Sequence, residues 1–439
     1  MLIFAPDGIA WVIAYLGAIW AGGVAVGLNS RLFERELSVV LSESGARFIW
    51  CNESSRALLE RLLATIADAP RLVIDAQWSA ALDAAPALAA AEMDEDAVAL
   101  WVYTSGTTGL PKAVMHAQRC VIASADFARD ILGLGAQDRI YASSKLFFAY
   151  ALGNSLCAGL RLGATVILDS EWPTAERVAE VVERHRPTAL FSVPTLYLKM
   201  LQSGVAARLA AAGVRRYASA GEALPAAVRR NWREATGVAP VSGYGASETV
   251  VLVFYCNDDS AQLKLSARVE IRARDSANDA SPQRMWLRHP SIALGYWRRP
   301  EAERDSFADG WFSPGDLFRR RDDGSMELCG RDDDMLKISG QWVSVLDVEQ
   351  ALLGASAGSV ESLAAVGFEN AEGLVSIALF AVAAPGQDAL ARERVNAGIA
   401  ALPKLKQPRL VKWVGELPLT ATGKLQRRKL KQQLAGSAA

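Results

Sequence analysis

A run of glycine and hydroxyl-bearing residues at 103–112 ends in a lysine and directly follows an apolar stretch at 97–102. The backbone N–H groups and hydroxyls of such a loop can donate hydrogen bonds to phosphate oxygens, and the lysine adds a positive charge. A strand followed by a glycine-rich loop is the usual setting of a phosphate site, although an ordinary solvent turn has the same composition. We expect phosphate binding by Thr104, Ser105, Gly106, Thr107, Thr108, Gly109 and Lys112.

Residue types suited to nucleotide chemistry recur later in the chain. Tyr244 offers an aromatic face for a flat ring, and Gly221 lets backbone approach such a ring closely. Glu248 is a carboxylate among small residues, which suits Mg²⁺ shared with phosphate oxygens, and an acid at a helix N-terminus is the alternative. Asp316 can accept two hydrogen bonds from ribose hydroxyls, with Arg331 as a further donor. A turn residue and a solvated charge are the alternatives for these two.

The secondary structure that positions these residues can also be predicted. Helical stretches alternate with short β-branched stretches, and this alternation predicts a parallel sheet covered by helices. The helical stretches are 58–66, 175–186 and 226–236, and the β-like ones are 97–104, 165–169, 189–193 and 214–218. Short β-like stretches at 268–274 and 284–289 predict a small β unit beside this α/β core. We expect a large N-terminal domain over 1–330, a boundary at 331–332 and a small, mobile α+β domain over 333–439.

An uncharged run of twenty residues near the N-terminus is long enough on paper to cross a bilayer. Glycines interrupt it, and it divides into a helix-like part at 9–20 and a β-like part at 24–28. We therefore assign it to the α/β core. Asp7 is the expected cap of the helix, and Gly22 or Gly23 is its expected end.

Composition narrows the class of protein. The 439 residues include 51% hydrophobic ones, and 47 basic residues balance 48 acidic ones. Disorder is therefore excluded, and the balanced charge argues against binding a nucleic acid. The five cysteines form no C-x-x-C pair and only three histidines are present, which argues against structural zinc and a disulfide framework. We expect a cytoplasmic protein that binds no nucleic acid and no membrane.

Five further motifs, in order, make the chain resemble the adenylate-forming acyl-CoA synthetases, a superfamily that includes luciferases. Besides the loop at 103–112, the motifs lie at 219–225, 243–249, 311–316, 330–340 and 417–424. The resemblance implies ATP, Mg²⁺ and coenzyme A as cofactors. It implies nucleotide binding by the loop and by Gly221, Glu222, Ala223, Tyr244, Gly245, Ser247, Asp316 and Arg331.

The resemblance also implies roles in the reaction. Lys424 would neutralise the charge that builds as a carboxylate attacks the α-phosphate, whereas without the family it would be a surface lysine. The candidate catalytic residues are Lys424, Glu248 and Thr104. Asp333 resembles the family's hinge, and Ser339 and Gly340 mark the face that serves the coenzyme A step. The first elements of the family's large domain are expected to be missing here.

Residues 145–154 resemble the benzoate-CoA ligase branch, although an aromatic run of this kind is otherwise ordinary core. This branch implies a substrate pocket of Ala149, Tyr150, Ser219, Gly245 and Val251. No acidic residue lies between Asp138 and Asp169 to hold an ammonium group, which disfavours α-amino acids.

The expected activity is conversion of a small aromatic acid to an acyl-adenylate and then to a coenzyme A thioester. An external carrier protein bearing phosphopantetheine is the alternative acceptor, since no carrier segment follows Lys424. A short, non-catalytic nucleotide-binding relative is the alternative from another class. We expect a monomer or a homodimer.

Overall fold

The computed structural model describes residues 1–105, 111–260, 262–274, 281–338, 341–369, 373–419 and 425–435. The strands in chain order are β1 (Leu2–Phe4), β2 (Ala25–Gly27), β3 (Phe48–Cys51), β4 (Arg71–Ile74), β5 (Val98–Ser105), β6 (Pro111–Ala117), β7 (Arg139–Ala142), β8 (Thr165–Ile167), β9 (Ala189–Ser192), β10 (Arg216–Ser219), β11 (Val241–Tyr244), β12 (Phe254–Cys256), β13 (Lys264–Leu265), β14 (Glu270–Ala273), β15 (Gln283–Arg288), β16 (Gly295–Tyr296), β17 (Phe307–Ala308), β18 (Trp311–Phe312), β19 (Asp316–Arg320), β20 (Met326–Arg331), β21 (Met335–Ile338), β22 (Gln341–Ser344), β23 (Val360–Glu369), β24 (Val375–Ala383) and β25 (Leu410–Trp413).

The α-helices in chain order are α1 (Ile9–Trp20), α2 (Glu34–Glu43), α3 (Arg56–Leu63), α4 (Asp75–Ala84), α5 (Arg119–Ala123), α6 (Ala149–Ala151), α7 (Ala158–Leu162), α8 (Ala175–His185), α9 (Pro194–Gln202), α10 (Val205–Ala211), α11 (Ala226–Thr236), α12 (Pro300–Ser306), α13 (Val345–Ser356), α14 (Asp388–Ala401) and α15 (Arg427–Ala435). Within the described ranges, none of these helices is both long and apolar enough to cross a membrane.

The chain divides into two compact units. The first comprises Met1–Asn278, Met285–Pro314 and Arg320–Glu327, and the second comprises Asp279–Arg284, Gly315–Arg319 and Leu328–Ala439. The predicted domain boundary at 331–332 stays a prediction.

The first sheet of the first unit has seven strands in the spatial order β16-β6-β5-β2-β1-β3-β4. Strands β1 to β5 are parallel to their neighbours, and β6 returns antiparallel to β5. Both faces are buried, since Ile3 packs with the side chains of α1 while Leu2 packs with those of α2 and α3. Burial on both faces is typical of parallel sheets, so strands such as β5 are almost continuously apolar.

The second sheet has the order β13-β12-β11-β10-β9-β7-β8, and its strands β7 to β11 are parallel. Helices α8 to α11 cover one face, where Trp232 lies edge-on to Tyr197 and Tyr217 at ring distances of 4.5 and 5.3 Å. Phe191 and Ala218 pack on the other face with Leu252. The expected α/β fold with parallel sheets and covering helices is confirmed.

The N-terminal run forms the expected helix and strand, α1 and β2, and Gly22 follows the helix with φ at +74°. Asp7 does not cap this helix, so that expectation was wrong: Gly8 is the cap residue, and no side chain caps it. The Oδ2 of Asp7 instead accepts a hydrogen bond of 2.9 Å from the N–H of Leu146. Burial raises the pKa of Asp7 to about 6.

The second unit contains the hairpin β21-β22 and the three-stranded sheet β23-β24-β25. Helices α13 and α14 cover one face of this sheet, where Leu352 and Val395 pack on Leu379. Helix α15 covers the other face through Leu430 and Leu434. This unit is the smaller sheet unit at the C-terminal end, which the sequence also predicted.

Candidate active site

The lysine at the end of the predicted phosphate loop lies on a paired strand. Strands β5 and β6 are antiparallel, and their register places Thr104 opposite Lys112. The loop residues Gly106, Thr107, Thr108 and Gly109 lie outside the described residues, as does the side chain of Ser105. The hairpin thus presents a threonine and a lysine together at the two ends of that loop.

Glu248 joins this hairpin from the turn that follows β11. Its Oε1 lies 3.9 Å from the Nζ of Lys112, and the two side chains are only 12% and 20% exposed. The carbonyl of Glu248 accepts a hydrogen bond of 2.8 Å from the N–H of Ala293, which fixes the turn. A cation and an anion predicted from separate motifs are therefore neighbours.

Tyr296, which the sequence reasoning missed, contacts both charges. Its hydroxyl donates a hydrogen bond of 2.7 Å to Oε1 of Glu248. The Nζ of Lys112 lies 3.5 Å from the centroid of its ring. The tyrosine reaches this place because the two-residue strand β16 pairs with β6, with Tyr296 opposite Val114.

His116 is a second missed residue, buried on β6. Its Nε2 lies 2.9 Å from the carbonyl oxygen of Ser247, and its Nδ1 lies 3.3 Å from that of Ser291. Burial lowers the pKa of His116 to about 4 and outweighs the opposing effect of the two carbonyls. The neutral ring has one N–H, and the shorter contact assigns it to the carbonyl of Ser247. This hydrogen bond holds the turn that carries Glu248.

The predicted nucleotide residues lie at the ends of neighbouring strands of the second sheet. Tyr244 is half-buried at the end of β11, with its ring 5.7 Å from that of Phe254. Gly221 follows β10 with φ at +92°, a conformation that favours glycine. Glu222 and Ala223 are exposed, and the carboxylate of Glu222 accepts a 3.0 Å hydrogen bond from Thr195. Parallel strands meet with their carboxyl ends at one edge, where ligands of such sheets bind.

The predicted pocket residues are partly brought together. Ala149 and Val251 pack in one core cluster, and a Cβ on Gly245 would lie 2.6 Å from the carbonyl oxygen of Val251. The hydroxyl of Tyr150 donates to backbone carbonyls, including that of Ala218 at 3.0 Å, and burial raises its pKa. Ser219 ends β10, two residues after Tyr217, and is buried.

The predicted ribose residues both belong to the second unit. Asp316 begins β19 after Gly315, whose φ is +73°. The N–H of Asp332 donates a 2.9 Å hydrogen bond to the carbonyl of Gly315, and a Cβ on that glycine would lie 3.7 Å from Nη2 of Arg331. Asp316 and Arg331 are thus held close together by the backbone.

Several predicted residues near the C-terminus are outside the description. Asp333 lies in a single 3₁₀ turn, Asp332–Asp334, but its side chain is not among the described ones. Ser339, Gly340 and Lys424 lie outside the described residues.

The residues around Glu248 fit a magnesium ion. Mg²⁺ in nucleotide enzymes is held by one or two carboxylates together with phosphate oxygens and water, rather than by a cage of protein ligands. Among the described residues no group of three or more His, Cys, Asp or Glu side chains could hold a metal. The single carboxylate of Glu248, beside the predicted phosphate loop, is compatible with this kind of site.

The chain is similar to proteins of known family. The family model described as "AMP-binding enzyme" matches residues 1–297. The chain is 39% identical to a 3-hydroxybenzoate–CoA ligase of Aromatoleum sp. (strain CIB), in an alignment that covers 99% of this chain and 86% of the relative. It is 34% identical to a benzoate–CoA ligase of Thauera aromatica, covering 98% and 85% of the two chains.

Solved structures of two ligases are also similar. A benzoate CoA ligase from Burkholderia xenovorans LB400 is 32% identical with a TM-score of 0.85, covering 98% of this chain and 88% of that one. An anthranilate CoA ligase in complex with anthranoyl-AMP is 28% identical with a TM-score of 0.87, covering 99% and 88%. The superfamily expected from the motifs is confirmed. The chain belongs to the family of AMP-binding enzymes.

Proposed function

We propose that this protein activates a benzoate-like aromatic acid with ATP and transfers the acyl group to coenzyme A, releasing AMP and pyrophosphate. The observation that carries the proposal is the placement of Lys112 beside Glu248, 3.9 Å apart, at the end of a phosphate-type loop. Relatives that act on 3-hydroxybenzoate and benzoate support the class of acid.

The chemistry of the first step is electrostatic. A carboxylate that approaches the α-phosphate of ATP is repelled by the polyphosphate, so the site must supply positive charge and exclude water. Lys112 binds phosphate oxygens, and Thr104 at the other end of the loop donates a hydroxyl. Glu248 would hold Mg²⁺, which would spread the charge of the phosphates when bound. Asp316 and Arg331 bind the ribose hydroxyls.

The acid pocket is apolar. Phe147 and Ala149 are each less than a tenth exposed, and Phe147 packs against Phe148 with ring centroids 4.3 Å apart. The neighbouring carboxylate of Asp7 already accepts the hydrogen bond from the N–H of Leu146. An ammonium group buried in this pocket without a carboxylate of its own would cost several kcal/mol. A neutral ring is therefore preferred to an amino acid.

The acceptor of the acyl group is coenzyme A in this proposal. A carrier-protein phosphopantetheine ends in the same thiol arm, so it is the second candidate. We place the reaction in the cytoplasm, where ATP and coenzyme A are both available.

An ATP–pyrophosphate exchange assay tests the proposal. Benzoate, 3-hydroxybenzoate, anthranilate, phenylalanine and propionate are each supplied with ATP and Mg²⁺, and thioester formation is then followed with coenzyme A. We expect exchange with the ring acids and a thioester with free coenzyme A. Exchange with phenylalanine alone would contradict the acid class, and no exchange with any acid would favour a non-catalytic nucleotide-binding protein.

A further inference from the structure

Tyr296 lies between two opposite charges that are close enough to neutralise each other. The Nζ of Lys112 and Oε1 of Glu248 are 3.9 Å apart, which is longer than a hydrogen-bonded ion pair. If they closed into such a pair, the lysine would be less available to a phosphate and the carboxylate to a metal ion. Another group that interacts with each charge would keep the two from closing into such a pair.

Tyr296 supplies both partners. Its ring face lies 3.5 Å from the ammonium, within the range of a cation–π interaction. Its hydroxyl donates a 2.7 Å hydrogen bond to the carboxylate. A tyrosine that is only 3% exposed needs a partner for its hydroxyl, and a carboxylate is a strong one.

The position of Tyr296 is fixed independently of these charges. Its N–H donates a 3.2 Å hydrogen bond to the carboxylate of Glu303, and its ring lies edge-on to that of Phe307 at 5.1 Å. The flanking Leu294 and Trp297 donate backbone hydrogen bonds to β6, the strand that carries Lys112. The ring is therefore held in place by its surroundings and can orient the lysine and the glutamate.

We infer that Tyr296 is a positioning residue that keeps Lys112 and Glu248 apart and so preserves one charge for the nucleotide phosphates and the other for the metal ion. The inference rests on the proposed roles of Lys112 and Glu248. It predicts that the hydroxyl of Tyr296 governs metal binding and that its ring governs phosphate binding.

Equilibrium binding of ATP without an acid or coenzyme A separates these effects. The dissociation constant for ATP is measured by calorimetry with Mg²⁺ and with EDTA, and that for Mn²⁺ in the presence of ATP is measured by electron paramagnetic resonance. We expect Tyr296→Phe to weaken Mn²⁺ binding about tenfold, because the carboxylate loses its donor and turns toward Lys112. Tyr296→Leu should in addition weaken metal-free ATP binding by about fivefold through loss of the ring face.

Two further variants make the test specific. Phe307→Leu keeps an apolar side chain against Tyr296 and touches neither charge, while the hydrogen bond to Glu303 and the pairing with β6 still hold Tyr296. It should leave both dissociation constants within about twofold of wild type. In the Tyr296→Phe background, Glu248→Gln should leave metal-free ATP binding as in wild type, since the ring beside Lys112 is kept and the carboxylate that could capture the lysine is gone.

The outcomes distinguish this inference from the proposed function. Wild-type Mn²⁺ binding in Tyr296→Phe, or equal losses in Tyr296→Phe and Phe307→Leu, would overturn the positioning role. If wild-type ATP affinity did not depend on Mg²⁺, the proposed metal role of Glu248 would fail instead. Metal-free ATP binding would then decide the inference, and an unchanged affinity in Tyr296→Leu would overturn it.

Discussion

The imidazole of His116 and the carbonyl of Ser247 are joined by a 2.9 Å contact between residues 131 positions apart in the chain. Ser247 directly precedes Glu248, so the histidine fixes the backbone from which the proposed metal-binding carboxylate projects. The contact connects the strand of Lys112 to the turn of Glu248.

We expect His116→Leu to lower the free energy of unfolding by about 1–3 kcal/mol, because it takes the imidazole donor away from the carbonyl of half-buried Ser247. It should also slow ATP–pyrophosphate exchange. His116→Gln keeps an N–H donor and should retain more of both. Urea unfolding and the exchange assay check this, and equal losses in the two variants would show that the ring's shape rather than its hydrogen bond is what the turn needs.

Glu349 gives a pH-dependent stability in the second unit. Burial raises the pKa of Glu349 to about 7, against the opposing effect of Arg427, whose Nη2 lies 3.0 Å from it. The folded protein therefore holds a proton that the unfolded chain loses above about pH 4.5. This contribution to stability is fully present below that pH and is lost as the pH rises to about 7.

Glu349→Gln cannot titrate, so the wild type should lose stability relative to this variant between pH 5 and 7, by on the order of 1–3 kcal/mol. Thermal unfolding midpoints of both proteins across this range give the difference. A difference that is constant with pH would mean that the carboxyl group ionises as it does in water.

Gly245 has no room for a side chain. A Cβ there would lie 2.6 Å from the carbonyl oxygen of Val251, and a backbone atom cannot rotate away. Gly245→Ala should cost about 1–3 kcal/mol of stability and reduce turnover of ring acids. Gly17→Ala is the matched control, because nothing lies within 4 Å of its Cβ and it lies inside helix α1. Denaturant unfolding should show that control to be as stable as wild type or more so.

Ala149 tests the position of the acid pocket. Ala149→Phe should lower kcat/KM for benzoate by about 10- to 100-fold while sparing propionate, because only the ring needs the filled volume. Ala158→Phe overpacks the core beside the second sheet and should affect both acids alike. If benzoate turnover were unchanged in Ala149→Phe, residues 145–154 would be plain core and the pocket would lie elsewhere.

Lys424 is expected to serve adenylation alone. Lys424→Ala should abolish ATP–pyrophosphate exchange and leave most thioester formation from a supplied acyl-adenylate, since a carboxylate attacks the α-phosphate only in the first step. Lys429→Ala, on the exposed surface of α15, should change neither half-reaction. Equal loss of both half-reactions in Lys424→Ala would contradict the prediction that Lys424 serves adenylation alone.

The helices and strands could be predicted from local sequence patterns, whereas contacts between residues distant in the chain could not. Helix α1 and strand β5 could be predicted because each is an apolar run that ends at a glycine or at loop residues. Such patterns involve residues only a few positions apart in the sequence. The proximity of Lys112 and Glu248 could not be predicted from local patterns, because no spacing rule joins residues so distant in the chain. Asp7 was misread because a nearby helix offers a local use for its carboxylate, whereas Leu146 lies 139 residues away.

Tyr296 and His116 were missed for a related reason. Tyr296 sits in a strand of two residues, too short for any periodicity, and the sequence alone shows only an aromatic residue after a glycine. His116 occupies an apolar strand, where a lone histidine is most simply a core residue. In both cases the contact that gives the residue its role is made by another segment.

The place of β16 at the edge of the first sheet governs when the site can form during synthesis. The nascent chain exposes the strand of Lys112 early, then the turn of Glu248, and only afterwards β16, which pairs with β6 across about 180 residues. A ribosome-bound chain that ends before residue 296 would already contain the phosphate loop but would lack the tyrosine between the two charges. The contacts that hold Lys112 and Glu248 apart should therefore form only after residue 296 has been synthesised, well after the strand of Lys112 itself.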